Sequence, residues 1–215
     1  MPAVRDLWSY GETGYHALAG AVVHERYSRE AMSSAFRILG EGQLALTKFL
    51  WVVSDPIDLK DARVVLPHLL ARFRPETDLY VLSNLSMDTL DYTGPEVNMG
   101  SKAVMLGVGE AWRELPRAFK GTLPMGIRNA VPFCPGVLCV DGPRFEEEDA
   151  LVERLKDAFP EWPLVVVVDD AQKTASTNTR FLWTTFMRFE PARDIHAQTQ
   201  RVQRHHIVYG ARCSS

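Results

Sequence analysis

The chain has 215 residues, 46% of them hydrophobic, and a formal net charge of −3 with its Lys and Arg residues scattered. That length supports a full core without staples, and the weak acidity argues against nucleic acid or an anionic membrane as a partner. No apolar run approaches the roughly 20 residues that cross a bilayer, the start lacks the basic and apolar stretches of a secretory signal, and Cys134, Cys139 and Cys213 cannot pair completely, so a reduced, cytoplasmic setting is expected.

Residues 2–16 hold Trp8, Tyr10, Gly11, Gly14 and Tyr15 and read as an irregular entry segment. His16 to His24 is a small-residue apolar run and a predicted strand. Ser28 is a candidate N-cap for a helix whose apolar face holds Met32, Ala35, Phe36 and Leu39, and Gly40 suits the left-handed residue after it. Lys48 to Ser54 is continuously apolar after its first residue, as in a strand covered on both faces. Asp58 is placed to cap the next helix, with Asp61 in its first turn. Leu59, Ala62, Val65, Leu66, Leu69, Leu70 and Phe73 form its buried stripe. Pro75 stops it, and Leu79 to Leu82 is the next strand.

From Asn84 to Gly109 the signal weakens, and Gly94-Pro95 and Gly100 mark loops. Trp112 to Pro135, rich in proline and glycine, is expected to connect two halves. Val137 to Val140 is a short strand. Glu146 to Glu148 open a helix with Leu151, Val152, Leu155 and Phe159 inward, and Leu164 to Val168 is a strand. Ser176 to Arg188 favours strand by propensity, but its counterpart earlier in the chain is helical, so a helix is expected there. Ile195 to Ala197 is expected to be a strand, and the tail from Arg201 irregular.

That counterpart comes from a repeat. Arg72-Phe73-Arg74-Pro75-Glu76-Thr77-Asp78 returns as Arg188-Phe189-Glu190-Pro191-Ala192-Arg193-Asp194, each time following a strand and a helix. The shared Asp78 and Asp194 suggest a shared structural task, such as bonding backbone N–H groups. The fold expected is α/β: a mostly parallel sheet with helices on both faces and two related βαβ halves. It forms a single domain over 1–215, with halves of about 1–110 and 135–200.

Asp55, Asp169 and Asp170 follow two predicted parallel strands, at the edge where open α/β sheets bind ligands. The same residues also serve as ordinary turn and capping residues. Asn98-Met99-Gly100-Ser101-Lys102 reads either as a ligand loop, with a close backbone approach, a hydroxyl and an ammonium, or as a tight surface turn. No dinucleotide or phosphate-loop fingerprint is present. His205-His206 with Cys213 matches no closed zinc pattern, and Cys134 and Cys139 read as small buried hydrophobes.

Several of these residues carry a resemblance. Thr47-Lys48, the apolar strand to Asp55, Arg74-Pro75-Glu76-Thr77-Asp78, Asp88-Thr89-Leu90-Asp91 and Gly100-Ser101-Lys102 occur in the order found in UbiD-type decarboxylases. With Phe181-Leu182-Trp183 and Pro191-Ala192-Arg193-Asp194, the chain resembles the C-terminal half of that family, in its menaquinone-type branch. The resemblance implies decarboxylation of an aromatic or unsaturated acid by prenylated FMN, held with its metal ion in an N-terminal flavin domain. It also implies oligomers assembled through the C-terminal half. The family's Glu-Gly-Pro-Phe-Gly-Glu-like catalytic segment is absent from this sequence. The expectation is therefore a part that binds no cofactor alone, partners a flavin-binding half or subunit, and adds a wall to the substrate cavity. A stand-alone binding or assembly module is the alternative. Lys48, Asp55, Ser101, Lys102 and Asp169 are the substrate-binding candidates; no residue is assigned a catalytic or metal-binding role.

Overall fold

The computed structural model describes residues 3–54, 56–143, 151, 155 and 157–196. Its strands form two sheets. The first holds β1 (Val4–Ser9), β2 (Leu18–Val23), β3 (Phe49–Val53), β4 (Leu79–Ser86) and β5 (Met99–Gly107), in the order β1-β2-β3-β5-β4. The second holds β6 (Ala130–Cys134), β7 (Val137–Asp141) and β8 (Leu164–Val168), in that order. The helices are α1 (Glu30–Gly40), α2 (Ala62–Leu70), α3 (Pro75–Asp78), α4 (Ala171–Thr174), α5 (Asn178–Phe186) and α6 (Pro191–Asp194).

The sheets are mixed. β2–β3, β3–β5 and β7–β8 pair in parallel, whereas β1–β2, β4–β5 and β6–β7 are antiparallel. This corrects the expected mostly parallel single sheet. Three strands, β1, β5 and β6, fall where the sequence reads as irregular or as loops. β1 lies in the segment read as irregular, and β6 lies in the expected connection, where Pro132 sits on an edge strand that tolerates it. β5 occupies the stretch read as loops.

Both sheets open with the same pattern, an antiparallel pair followed by a parallel neighbour and then helix. In each copy of the sequence repeat a one-turn helix starts at the proline, and both of these helices pack on β4 and β5 of the first sheet. Asp78 Oδ2 accepts from the Arg74 amide at 2.8 Å, and Asp194 Oδ2 from the Glu190 amide at 2.7 Å. The shared backbone task read from the repeat is therefore present in both copies.

β3 is buried along its whole length, as its unbroken apolar run requires. Alternate residues face opposite layers. Leu50 and Val52 meet α1 through Ala31, Ala35 and Ile38, while Phe49, Trp51 and Val53 share a core with the α2 stripe. Helices thus cover both faces of the five-stranded sheet. The second core also includes Phe133, Val137, Cys139, Phe181 and Phe186, so the two sheets share apolar contacts. Phe186 lies edge-on to Trp51 at 5.3 Å between ring centroids.

Local signals shifted by a few residues. Asp61, not Asp58, caps α2 by accepting from the Arg63 amide, because Asp58 bonds the Lys60 amide instead. Arg29 at φ 67° precedes α1, and neither Ser28 nor Gly40 caps it in the expected way. Phe36 is exposed on the far side of that helix. α5 confirms helix over the threonine-rich span, with Thr177 accepting from the Arg180 amide. Ile195 follows α6 without entering a strand. Most of the helix expected from Glu146 and the tail from Arg201 lie outside the described residues.

Candidate functional site

A cluster forms at the N-terminal edge of β2, β3 and β5. Two basic residues stand just before neighbouring strands: His16 before β2 and Lys48 before β3. The connection between β4 and β5 supplies an aspartate to each. Asp88 bonds the His16 ring, and Asp91 meets the Lys48 ammonium at 2.8 Å. Thr93 donates to Asp91 through both its amide and its hydroxyl, at 2.9 Å and 2.5 Å.

Lys48 is buried, and burial pushes its ammonium below the ordinary lysine value against the pull of Asp91. Burial also works to raise Asp91, but its bonds to Lys48 and Thr93 outweigh that and hold its carboxyl below the usual range. The His16 bond holds Asp88 low as well. Lys48 Nζ further lies 5.4 Å from the centroid of Phe189, which belongs to the second repeat.

Ser101 and Lys102 are in β5, not in a loop, and both are buried. Ser101 Oγ accepts from the Ala192 amide at 2.8 Å, tying β5 to the first turn of α6. Lys102 donates to the carbonyls of Ala45 and Thr47 at 2.7 and 3.0 Å, which fixes the turn leading into β3. Burial lowers its pKa to about 8.

Lys48 and Ser101 thus border one small cavity, together with Asp91, Thr93, Gly100 and Glu190. A groove of about 370 Å³ lies outside it, between the β4 bulge at Ser83 and Asn84, Thr93 to Pro95, and Ala192 and Arg193 of α6. Glu190 and Ser101 border both.

Asp169 stands apart. It lies past the end of β8, exposed, with Arg188 at 3.3 Å as its partner. Asp55 lies outside the described residues. The expected ligand edge, at the C-terminal ends of the strands, is therefore not where Lys48 and Ser101 gather. Asp91, Thr93 and Glu190 escaped the sequence-based candidates. The Asp88-Thr89-Leu90-Asp91 motif contained the usable signal for Asp91, but its partner lies 43 positions earlier.

Flavin does not fit this arrangement. Its phosphate needs free cations or a ring of amides. Lys48 is paired, Lys102 holds carbonyls, and the groove presents the Glu190 carboxylate. Among the described residues, no three His, Cys, Asp or Glu side chains gather to hold a metal. Cys134 and Cys139 are buried, and burial pushes both thiols up to about 12, away from nucleophilic use. No helix of the described residues is long and apolar enough to cross a membrane.

Residues 1–107 match the 3-octaprenyl-4-hydroxybenzoate carboxy-lyase C-terminal domain. A Chlamydia pneumoniae protein, named as a subunit of 4-hydroxybenzoate decarboxylase, is 44% identical over 211 residues, covering 97% of this chain and 36% of that protein. A Chlamydia muridarum protein of unassigned function is 47% identical over 210 residues, with the same coverage. The chain thus spans about a third of the length of these relatives. Among solved structures, vanillic acid decarboxylase from Sedimentibacter hydroxybenzoicus in open form matches 74% of this chain and 30% of its own. It does so at 20% identity and a TM-score of 0.48. The UbiD-class enzyme HmfF from Pelotomaculum thermopropionicum, in complex with FMN, matches 50% of this chain and 24% of its own, at 16% identity and a TM-score of 0.47. The chain belongs to the UbiD-type decarboxylase family, and its first 107 residues are that family's C-terminal domain.

Proposed function

We propose that this chain is the C-terminal domain or subunit of a UbiD-like carboxy-lyase acting on an aromatic or unsaturated carboxylic acid. The observation that carries this reading is the family match over residues 1–107 joined to 44% identity with a protein named as a decarboxylase subunit. The partner is a flavin-binding half or subunit holding prenylated FMN. The chain works in the cytoplasm, in a quinone pathway of the menaquinone type, within a homo-oligomer. It folds as one domain built from two related halves.

Its contribution is positional. A buried ion pair, two lysine-held carbonyls and a serine-held helix fix the N-terminal strand edge without mobile charge. A fixed wall of that kind orients a bound acid, and orientation alone lowers barriers substantially. Lys48 and Ser101 support that wall.

The test is reconstitution. The chain is mixed with the part of the Chlamydia pneumoniae relative that it does not cover, loaded with prenylated FMN, and CO₂ release from hydroxybenzoates is measured. Release by the mixture and by neither part alone supports the reading. Absence of association and of release overturns it.

A further inference from the structure

The groove beside α6 is bordered by a carboxylate with one oxygen left, among the described residues, without a hydrogen-bond donor. Glu190 is only 7% exposed, and its side chain borders both the inner cavity and the groove. Its Oε2 accepts from the Arg193 amide at 2.9 Å, capping α6. Its Oε1 receives no hydrogen bond from the described residues and lies on the Gly100 side, 3.8 Å from where a Cβ on that glycine would stand. The nearby cations are already engaged: Lys48 contacts Asp91, and the Arg193 guanidinium grips Asp194 with two bonds at 2.7 and 2.8 Å. Lys102 brings a third cation to the same edge, but it holds the carbonyls of Ala45 and Thr47. None of these three cations hydrogen-bonds the Glu190 side chain, so Oε1 keeps an open acceptor position beside the groove.

We propose that the groove is a binding site for a small organic cation, an alkylammonium or guanidinium group, with Glu190 Oε1 as its acceptor. A volume of about 370 Å³ suits a group of that size. Thr93 and Ser83 offer hydroxyl acceptors at the rim, and Pro95 and Met99 cover an alkyl stem. A Cβ at Gly100 would meet Met87 Cγ at 2.8 Å, so the glycine is required for the packing of this wall of the groove. The site does not depend on the decarboxylase reading. The same cation chemistry serves a free metabolite amine or a basic side chain of another polypeptide.

The experiment is an NMR titration of the full chain, following the amides of Gly100, Ser101 and Ala192. The probes are n-butylammonium, agmatine, n-butanol, butyrate and an acetyl-arginine-amide peptide. The two free cations are expected to give saturable shifts, while butanol and butyrate do not. Binding of the arginine peptide at least tenfold tighter than agmatine assigns the site to a polypeptide, and the reverse assigns it to a free amine. Glu190→Gln keeps the α6 cap, because its amide oxygen still accepts from the Arg193 amide, and is expected to weaken the cations at least tenfold. Arg193→Ala is expected to leave them unchanged or tighter. Equal shifts with butanol, unaltered affinity in Glu190→Gln, or loss of binding in Arg193→Ala would each overturn the proposal.

Discussion

Lys48 and Asp91 form a 2.8 Å ion pair that joins the entry of β3 to the connection between β4 and β5. The side chain of Lys48 is 2% exposed and that of Asp91 14%. Removing one partner of such a pair leaves the other charge buried and unpaired, a cost of about 3–5 kcal/mol. Asp91→Ala is therefore expected to lower the urea midpoint by an amount worth about 3 kcal/mol. Lys48→Met with Asp91→Leu is expected to recover most of that loss, because replacing both charges removes the unpaired one. A double variant no more stable than Asp91→Ala would contradict this.

Ser101→Ala deletes the acceptor of the Ala192 amide. A buried N–H left without a partner costs about 1–3 kcal/mol. The effect is expected to be local. Hydrogen exchange at Ala192 should speed up at least tenfold, while the β3 amides of Leu50 and Val52 keep their protection. Uniform acceleration would mean that the bond supports the whole fold.

The two equivalent aspartates are expected to differ. Asp78 also pairs with Arg29 at the start of α1 and is buried, whereas Asp194 adds only its exposed neighbour Arg193. Asp78→Ala should cost about 2–3 kcal/mol and Asp194→Ala about 1 kcal/mol. Thermal melts of the two variants check the order.

Lys102 gives a pH signature. Burial lowers its pKa to about 8 from an ordinary 10.5, so between those values the unfolded chain binds more protons than the folded one. Stability must then rise with pH through that window, by at most about 1.4 kcal/mol per pH unit from this group. The cost of the buried charge is fully present below pH 8 and relieved above it. Lys48 is shifted the same way, while Cys134 and Cys139, raised to about 12 by burial, oppose the rise from about pH 9, and Tyr10 opposes it near the top of the window. Urea midpoints between pH 7.5 and 8.5 should climb in the parent chain and climb less in Lys102→Met. Equal slopes would contradict the assignment.

Regular apolar periodicity was the readable part of this sequence. The β3 run and the α2 stripe are buried as their patterns required, because both depend on neighbours within one element. β5 was not readable. It lies between β3 and β4 and is buried almost throughout, yet Gly100, Ser101 and Lys102 follow its first residue. Those polar groups are tolerated only because Ala192, Ala45 and Thr47 satisfy them, and no local window contains those partners. The candidate site was half legible for the same reason. Lys48, Ser101 and Lys102 were marked by residue type, but Asp91 and Glu190 acquire meaning only once the chain is folded around them. Asp169 shows the converse, since a position past a strand end leaves it in solvent.

This chain is expected to supply a family C-terminal part and to leave the flavin to another polypeptide. Gel filtration with absorbance at flavin wavelengths tests it most directly, on the chain alone and on the chain mixed with the uncovered part of the Chlamydia pneumoniae relative. Prenylated FMN should co-elute only with species containing that second part, and this chain should migrate with it. Stoichiometric flavin retained by the isolated 215-residue chain would contradict the account.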